Sequence, residues 1–229
     1  IFMAKLLFDQ TGERFYETGV KEVVLFVKDS TGYKTGVAWN GVTNISESPS
    51  GAEATALYAD DIKYLNLVSA EEFGASIEAY TYPEEFAECD GSASIGGTDV
   101  KGIMVGQQSR KTFALAYRTT VGNDSEGTDY GSKLHIIYGC LAAPSEKAYA
   151  TINDSPEAIT FSWEISTTPT TEVPEGVKPT STVVIDEKKV GEAAWKAIID
   201  KIYGTGEGET GTPSTLIMPN KFAEVIAGN

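Results

Sequence analysis

His135 is the only histidine in the chain, which removes most zinc sites and most acid–base machinery, since both draw on imidazole. A nucleophilic triad would have to be built on it, yet neither a G-x-S-x-G elbow nor a cysteine–histidine signature accompanies it. It lies in an alternating stretch, residues 133–140, on the side of Lys133 and opposite Leu134, Ile136 and Tyr138, and so reads as a surface or interface residue. Three acid pairs, Asp60-Asp61, Glu71-Glu72 and Glu84-Glu85, have the residue type of glycosidase carboxylates. Neighbours on a strand point to opposite faces, so these read as solvating charge.

Gly206, Gly208 and Gly211 spell G-x-G-x-x-G, which cradles a pyrophosphate when it follows a strand and opens a helix. Here it follows a helical stretch, and Glu207 and Glu209 stand where an anion would sit, so a flexible surface loop is the reading. Asn44, Asn123 and Asn153 each begin an Asn-x-Ser sequon, a match that Ser-rich chains produce by chance. The acidic stretch 123–129 has oxygen ligands but neither the register nor the closing glutamate of a twelve-residue calcium loop. Cys89 and Cys140 can pair, but in a chain able to bury a full core they read as two buried thiols. No cofactor is expected.

Charge excludes more than it names. The 33 acidic residues outnumber 18 basic ones in 229, for a net charge of −15, whereas gripping a nucleic-acid backbone needs clustered cations. Apolar runs such as residues 23–27 fall far short of the ~20 residues of a bilayer span, and nothing near the start reads as a secretory signal. The expectation is a soluble chain without a membrane anchor.

The elements that must position these residues are mostly strands. Val23, Val24, Leu25, Phe26 and Val27 form a continuous apolar run closed by an Asp-Ser-Thr-Gly turn at 29–32, a strand buried on both faces. Three stretches alternate. Ile159, Phe161, Trp163 and Ile165 oppose Thr160, Ser162, Glu164 and Ser166; Phe113, Leu115 and Tyr117 oppose Thr112, Ala114, Ala116 and Arg118; Ala75, Ile77 and Ala79 oppose Ser76, Glu78 and Tyr80. Each is expected to lay one face on a core and present small polar groups on the other. Pro83 with Glu84 and Glu85 opens a short helix anchored by Phe86 and closed by Gly91. A longer helix is expected over residues 187–203, where Trp195, Ile198, Ile199 and Ile202 recur at helical spacing before Gly204. Residues 46–56 and 204–213 have loop composition.

Several segments, read together, resemble the major tail tube protein of long, non-contractile-tailed bacteriophages. They are residues 56–61, residues 77–86, residues 110–124 and residues 153–169, with further likeness in a strand near 183–185, the Trp195 helix and the Leu216-Ile217-Met218-Pro219 segment. The resemblance implies a mainly β single domain over residues 3–229: a tail-tube β-sandwich or barrel with one longer flanking helix and one short helix. It also implies a structural virion protein, made in the cytoplasm of a bacterial host and not an enzyme. Six copies close into a ring, and rings stack into a hollow tube through which DNA passes as cargo. Its partners would be its own copies and other tail proteins such as the tape measure and the tail terminator.

On that reading Ser76, Glu78, Thr160, Ser162 and Glu164 face the lumen, where an acidic wall repels phosphate. Residues 46–56, with Ser48, Pro49, Glu53 and the nearby Tyr58, form an arm that orders against a neighbouring subunit. Two alternatives stand beside it: the inner-tube protein of a contractile tail or injection machine, and a monomeric acidic β-sandwich that binds carbohydrate through exposed aromatic rings. A carboxylate-pair hydrolase is the enzyme reading, for which the sequence supplies no preferred pair.

Overall fold

The protein, described from a computed structural model, is placed over residues 6–96, 100–152, 154, 157–206 and 211–228. It is mainly β. The strands are β1 (Phe15–Asp29), β2 (Gly32–Tyr33), β3 (Val37–Trp39), β4 (Val42–Gly51), β5 (Ala54–Ala59), β6 (Ile62–Val68), β7 (Glu71–Ala79), β8 (Ala93–Gly96), β9 (Val100–Val105), β10 (Phe113–Asn123), β11 (Gly127–Ala142), β12 (Phe161–Thr167) and β13 (Thr182–Asp186). Three α-helices follow, α1 (Glu187–Val190), α2 (Glu192–Tyr203) and α3 (Phe222–Ala227), and a 3-10 helix covers Glu84–Glu88.

Nine strands make one antiparallel sheet in the order β2-β1-β10-β11-β12-β7-β4, with β3 added on β1 and β13 on β11. The path is open and does not close into a barrel. It folds over at β11, so that the face of β1, β10 and β11 carrying Leu25, Phe113 and Ile137 meets Ile77, Ala79, Trp163 and Ile165 of β7 and β12. Trp39 and Phe86 fill the space between these layers, their rings 4.4 Å apart. The opposite face, with Phe26, Ala114, Ala116, Leu134 and Tyr138, lies under Trp195, Ile198 and Ile202 of α2 and under Leu216 and Ile217. Helix, sheet and sheet thus enclose two cores.

The fold-over has a local cause. Gly139 adopts φ 63, and there β11 bulges, with Leu115 opposite Ile137 but Phe113 opposite Cys140. Beyond the bulge the second edge of β11 pairs with β12 instead of β13. The Thr168 N–H donates to the Gly139 carbonyl at 3.0 Å.

Several expectations hold. Residues 23–27 are buried on both faces, β7 and β12 alternate, and Phe86 anchors the short helix as a fully buried ring. Both cysteines are free and buried, and burial pushes the Cys89 thiol up to about 12. Two expectations need correction. The second face of β10 is not polar surface: Ala114 and Ala116 are fully buried because α2 packs over them. The helix expected over 187–203 is broken at Gly191, whose φ of 85 separates α1 from α2.

Candidate functional site

The stretch 46–56, expected as loop, is strand over 46–51 and 54–56, with Ala52 and Glu53 between the two. β4 and β5 run outward, β6 and β7 return, and together they form one long hairpin, with β4 paired to β7 and β5 to β6. The two halves join at a kink where Ala52 takes φ 53; the Ser69 N–H donates to the Glu53 carbonyl at 3.1 Å and the Glu53 N–H to Ser69 Oγ at 3.2 Å. Asp60 and Asp61, at φ 50 and 62, make the tip, the positive-φ pair that a tight hairpin turn of matching twist requires. Of the residues expected in the arm, Ser48 and Pro49 lie on β4 opposite Gly74 and Phe73, Glu53 sits at the kink, and Tyr58 is on β5. An apolar pattern marks a strand only where one face is buried, and here both faces are wet, so loop composition misled.

The outer half of this arm carries side chains that its own body does not cover. Across the pair, Leu57 faces Leu65, Thr55 faces Leu67 and Ala59 faces Ile62, placing four aliphatic residues on one side. Exposure reaches 56% at Leu67, 66% at Ile62, 69% at Tyr64 and 70% at Tyr58. A lone two-stranded ribbon is marginal in water, and a contiguous apolar surface of this kind marks an interaction site.

β4, β7 and β12 bring four of the five residues read as lumen-facing into paired rows on one face. On the outer side of the β4-β7-β12 layer, Glu78 stands between Asn44 and Ser162, Ser76 between Ser46 and Glu164, and Gly74 between Ser48 and Ser166. Ser162 and Glu164 are exposed and Ser76 and Glu78 half-buried. These three rows contain no base. Thr160 is exposed but precedes β12 and takes no part in the paired rows.

A polar cluster that the sequence did not disclose fills one end of the space between the layers. His135 stacks on Tyr117 with ring centroids 4.8 Å apart and planes 4° from parallel. Its Nε2 lies 3.1 Å from Glu17 Oε1 on β1 and 3.0 Å from Thr119 Oγ1 on β10; its Nδ1 lies 3.8 Å from Glu47 Oε1 on β4. The Tyr117 hydroxyl donates to the same Glu47 oxygen at 2.6 Å, and Lys133 Nζ donates to Glu17 Oε2 at 2.5 Å. Burial by itself raises the Glu17 pKa, but the Lys133 and Thr119 hydrogen bonds, the Lys133 charge and the His135 contact outweigh it and hold the carboxyl below its ordinary value. Burial, then the Glu47 carboxylate, pushes the Tyr117 phenol upward. His135 was expected to be a surface or interface residue; it is partly buried, its side chain 13% exposed, and lies on the same side of β11 as Lys133. Tyr117 and Glu47 are 70 residues apart in sequence, so no spacing signal can announce them.

The remaining motifs resolve simply. Asn123 is 3% exposed and is used internally: its amide donates to the Gly12 carbonyl while its oxygen accepts from the Ser125 and Glu126 N–H groups. It is a turn-forming residue and not an accessible sequon. Asp124 accepts from the N–H groups of Gly12 and Arg14. Asn153, Glu207, Gly208 and Glu209 lie outside the described residues; Thr205 and Thr212 form an antiparallel bridge. A cavity of about 380 Å³ beside the β1 bulge is lined by Val20, Glu22, Trp39 and Tyr203, among others. Glu22 is the one acid there and is bonded to Arg118 at 2.7 Å, so the cavity holds no carboxylate pair. No helix is long and apolar enough, among the described residues, to cross a membrane. No protein-family model matches the chain, and a search of the curated proteins finds no match either.

Proposed function

We propose that this chain is a structural, non-enzymatic subunit that joins identical copies in stacked hexameric rings, forming the hollow tail tube of a bacteriophage through which DNA leaves. The observation that carries the reading is the arm: a long hairpin whose outer half, β5 and β6, presents Leu57, Ile62, Leu65 and Leu67 on one side with no cover from its own body. Such a surface is costly in a free chain and is satisfied when a second copy covers it; contacts made this way between different patches close into rings or propagate as stacks. The base-free rows of Asn44, Glu78, Ser162, Ser46, Ser76 and Glu164 suit a wall along which a polyanion slides without adhering.

Electron microscopy of concentrated protein tests this. Six-fold rings or regular tubes are expected for the intact chain. A variant with residues 54–68 replaced by a short Gly-Ser turn is expected to remain folded and monomeric, because the rest of the sheet is paired without them. Particles that stay monomeric at all concentrations, with measurable affinity for a glycan, would replace this reading with that of a carbohydrate-binding sandwich.

A further inference from the structure

His135 lies against groups from both layers of the fold, Glu17 and Tyr117 on one and Glu47 on the other. We propose that His135 is a proton-operated clamp: protonated, it fastens the foot of the arm, through Glu47, to β1 and β11; neutral, it leaves that foot to the Tyr117 hydroxyl. The device belongs to the single subunit and stands whether or not the arm engages another copy.

The hydrogen-bond inventory fixes the argument. The Thr119 hydroxyl spends its one proton on Glu17 Oε1, so toward His135 it can only accept, and an ionised Glu17 can only accept as well. Nε2 must therefore carry a hydrogen in the neutral ring. That leaves Nδ1 bare, and it is a buried atom without a hydrogen-bond partner, directed at a Glu47 carboxylate oxygen 3.8 Å away. A lone pair facing an anion is unfavourable, and adding a proton to Nδ1 converts it into a charge-assisted contact.

Four strands bring charged or hydrogen-bonding groups to the ring, while β13, paired with β11 there, sets Val184 opposite His135. β1 supplies Glu17, β4 supplies Glu47, β10 supplies Tyr117 and Thr119, and β11 supplies Lys133. The like charge of Lys133 is directed to Glu17 Oε2, the oxygen that His135 does not use. The Tyr117 phenol, pushed upward by burial, stays protonated across the histidine range and keeps its own bond to Glu47 at both ends of the change. Glu47 is on the edge strand from which the arm extends, and that strand is held laterally by β7, so tightening or loosening Glu47 acts on the arm's seat.

Hydrogen exchange on dilute, monomeric, 15N-labelled protein provides the test, with rates corrected for intrinsic exchange chemistry. Protection of the β4 amides near Glu47 is expected to be about threefold greater at pH 5.5 than at pH 8, the scale of one partly exposed charged contact. His135→Gln should abolish the difference and Glu47→Gln should reduce it, with the β10 amides unaffected in both. Ring 15N shifts give a second readout that needs no variant: a proton on Nε2 alone when the ring is neutral and on both nitrogens when it is charged. Equal protection at the two pH values, an unchanged difference in His135→Gln, or an Nδ1–H tautomer at pH 8 would overturn the clamp.

Discussion

The indole N–H of Trp163 donates to Asp90 Oδ1 at 3.0 Å, and the other oxygen of that carboxylate accepts from Lys147 at 2.6 Å. Trp163 is fully buried among Trp39, Phe86, Tyr82 and Phe161, so Asp90 ties a charge to the centre of the aromatic core while its own side chain is only 7% exposed. Burial tends to lower the Lys147 pKa, but the Asp90 hydrogen bond and charge outweigh it and raise the value.

Removing the carboxylate leaves a buried indole donor without an acceptor and an ammonium without its counter-ion. Asp90→Ala is therefore expected to cost about 3 kcal/mol, read as a lower urea midpoint with an unchanged slope. Asp90→Asn keeps an acceptor for Trp163 and should cost less than half as much. Equal losses for the two would mean that the charge pairs of Asp90 with Lys147 and with Arg110, 3.8 Å away, dominate over the indole bond.

Gly139 is held where no other residue fits well. Its φ of 63 disfavours a side chain, and a Cβ there would come within 2.1 Å of the carbonyl oxygen of Thr168, the residue that follows β12 and whose N–H is bonded to the Gly139 carbonyl. Gly139→Ala is expected to destabilise by about 2–4 kcal/mol, since strain and displacement of a paired backbone add. Gly176, also at positive φ but with open space around it, gives the comparison: Gly176→Ala should cost about 1 kcal/mol. Thermal unfolding of the two variants side by side distinguishes them.

The parts of this fold that were legible in the sequence are those where burial is one-sided or complete. Ile77 and Trp163 stand out against Glu78 and Glu164 because one face of β7 and β12 is dry and the other wet, and Val23 to Val27 stand out because both faces are dry. The arm was opaque for the opposite reason: Ser46, Ser48 and Pro49 lie on a strand held by β7 and covered by nothing, so only the ladder identifies it. The second face of β10 was misread because Ala114 and Ala116 are too small to advertise a helix above them. The His135 cluster draws on Glu17, Glu47, Tyr117 and Lys133 from four strands, and only the fold brings them together.

Stability should fall in acid through Glu17. Its pKa in the folded protein lies below its ordinary value of 4.5, so the unfolded chain takes up its proton first as pH drops. The contribution is present above pH 4.5 and is lost as pH falls through the lower folded value. Glu17→Gln should flatten the acid limb of a plot of unfolding free energy against pH while leaving its course above pH 6 nearly parallel to the wild type. An acid limb identical in the two proteins would place the titration on other carboxylates.

Under the proposed function, the acidic face allows assembly and passage of DNA to be tested separately. Glu78 and Glu164 stand on neighbouring rows of β7 and β12 with only Ser, Asn and Gly around them, and neither forms an ion pair among the described residues, so changing their sign breaks no internal bond. Glu78→Lys with Glu164→Lys is expected to shift stability by no more than about 0.5 kcal/mol. In the proposed assembly the arm and not this face makes the contact between copies, so tubes should still form. What changes is adhesion: each tube gains rings of cations, which release counterions on meeting phosphate, so the double variant should retain double-stranded DNA at 50 mM salt and lose it steeply by 200 mM. Wild-type tubes should retain none at either concentration. The same pair of lysines on an outer wall would bind DNA around the tube instead of within it, and nuclease distinguishes the two, since DNA inside an intact tube is shielded and DNA outside is digested. Digestible DNA on the variant would assign this face to the exterior and leave the lumen to another layer of the sheet.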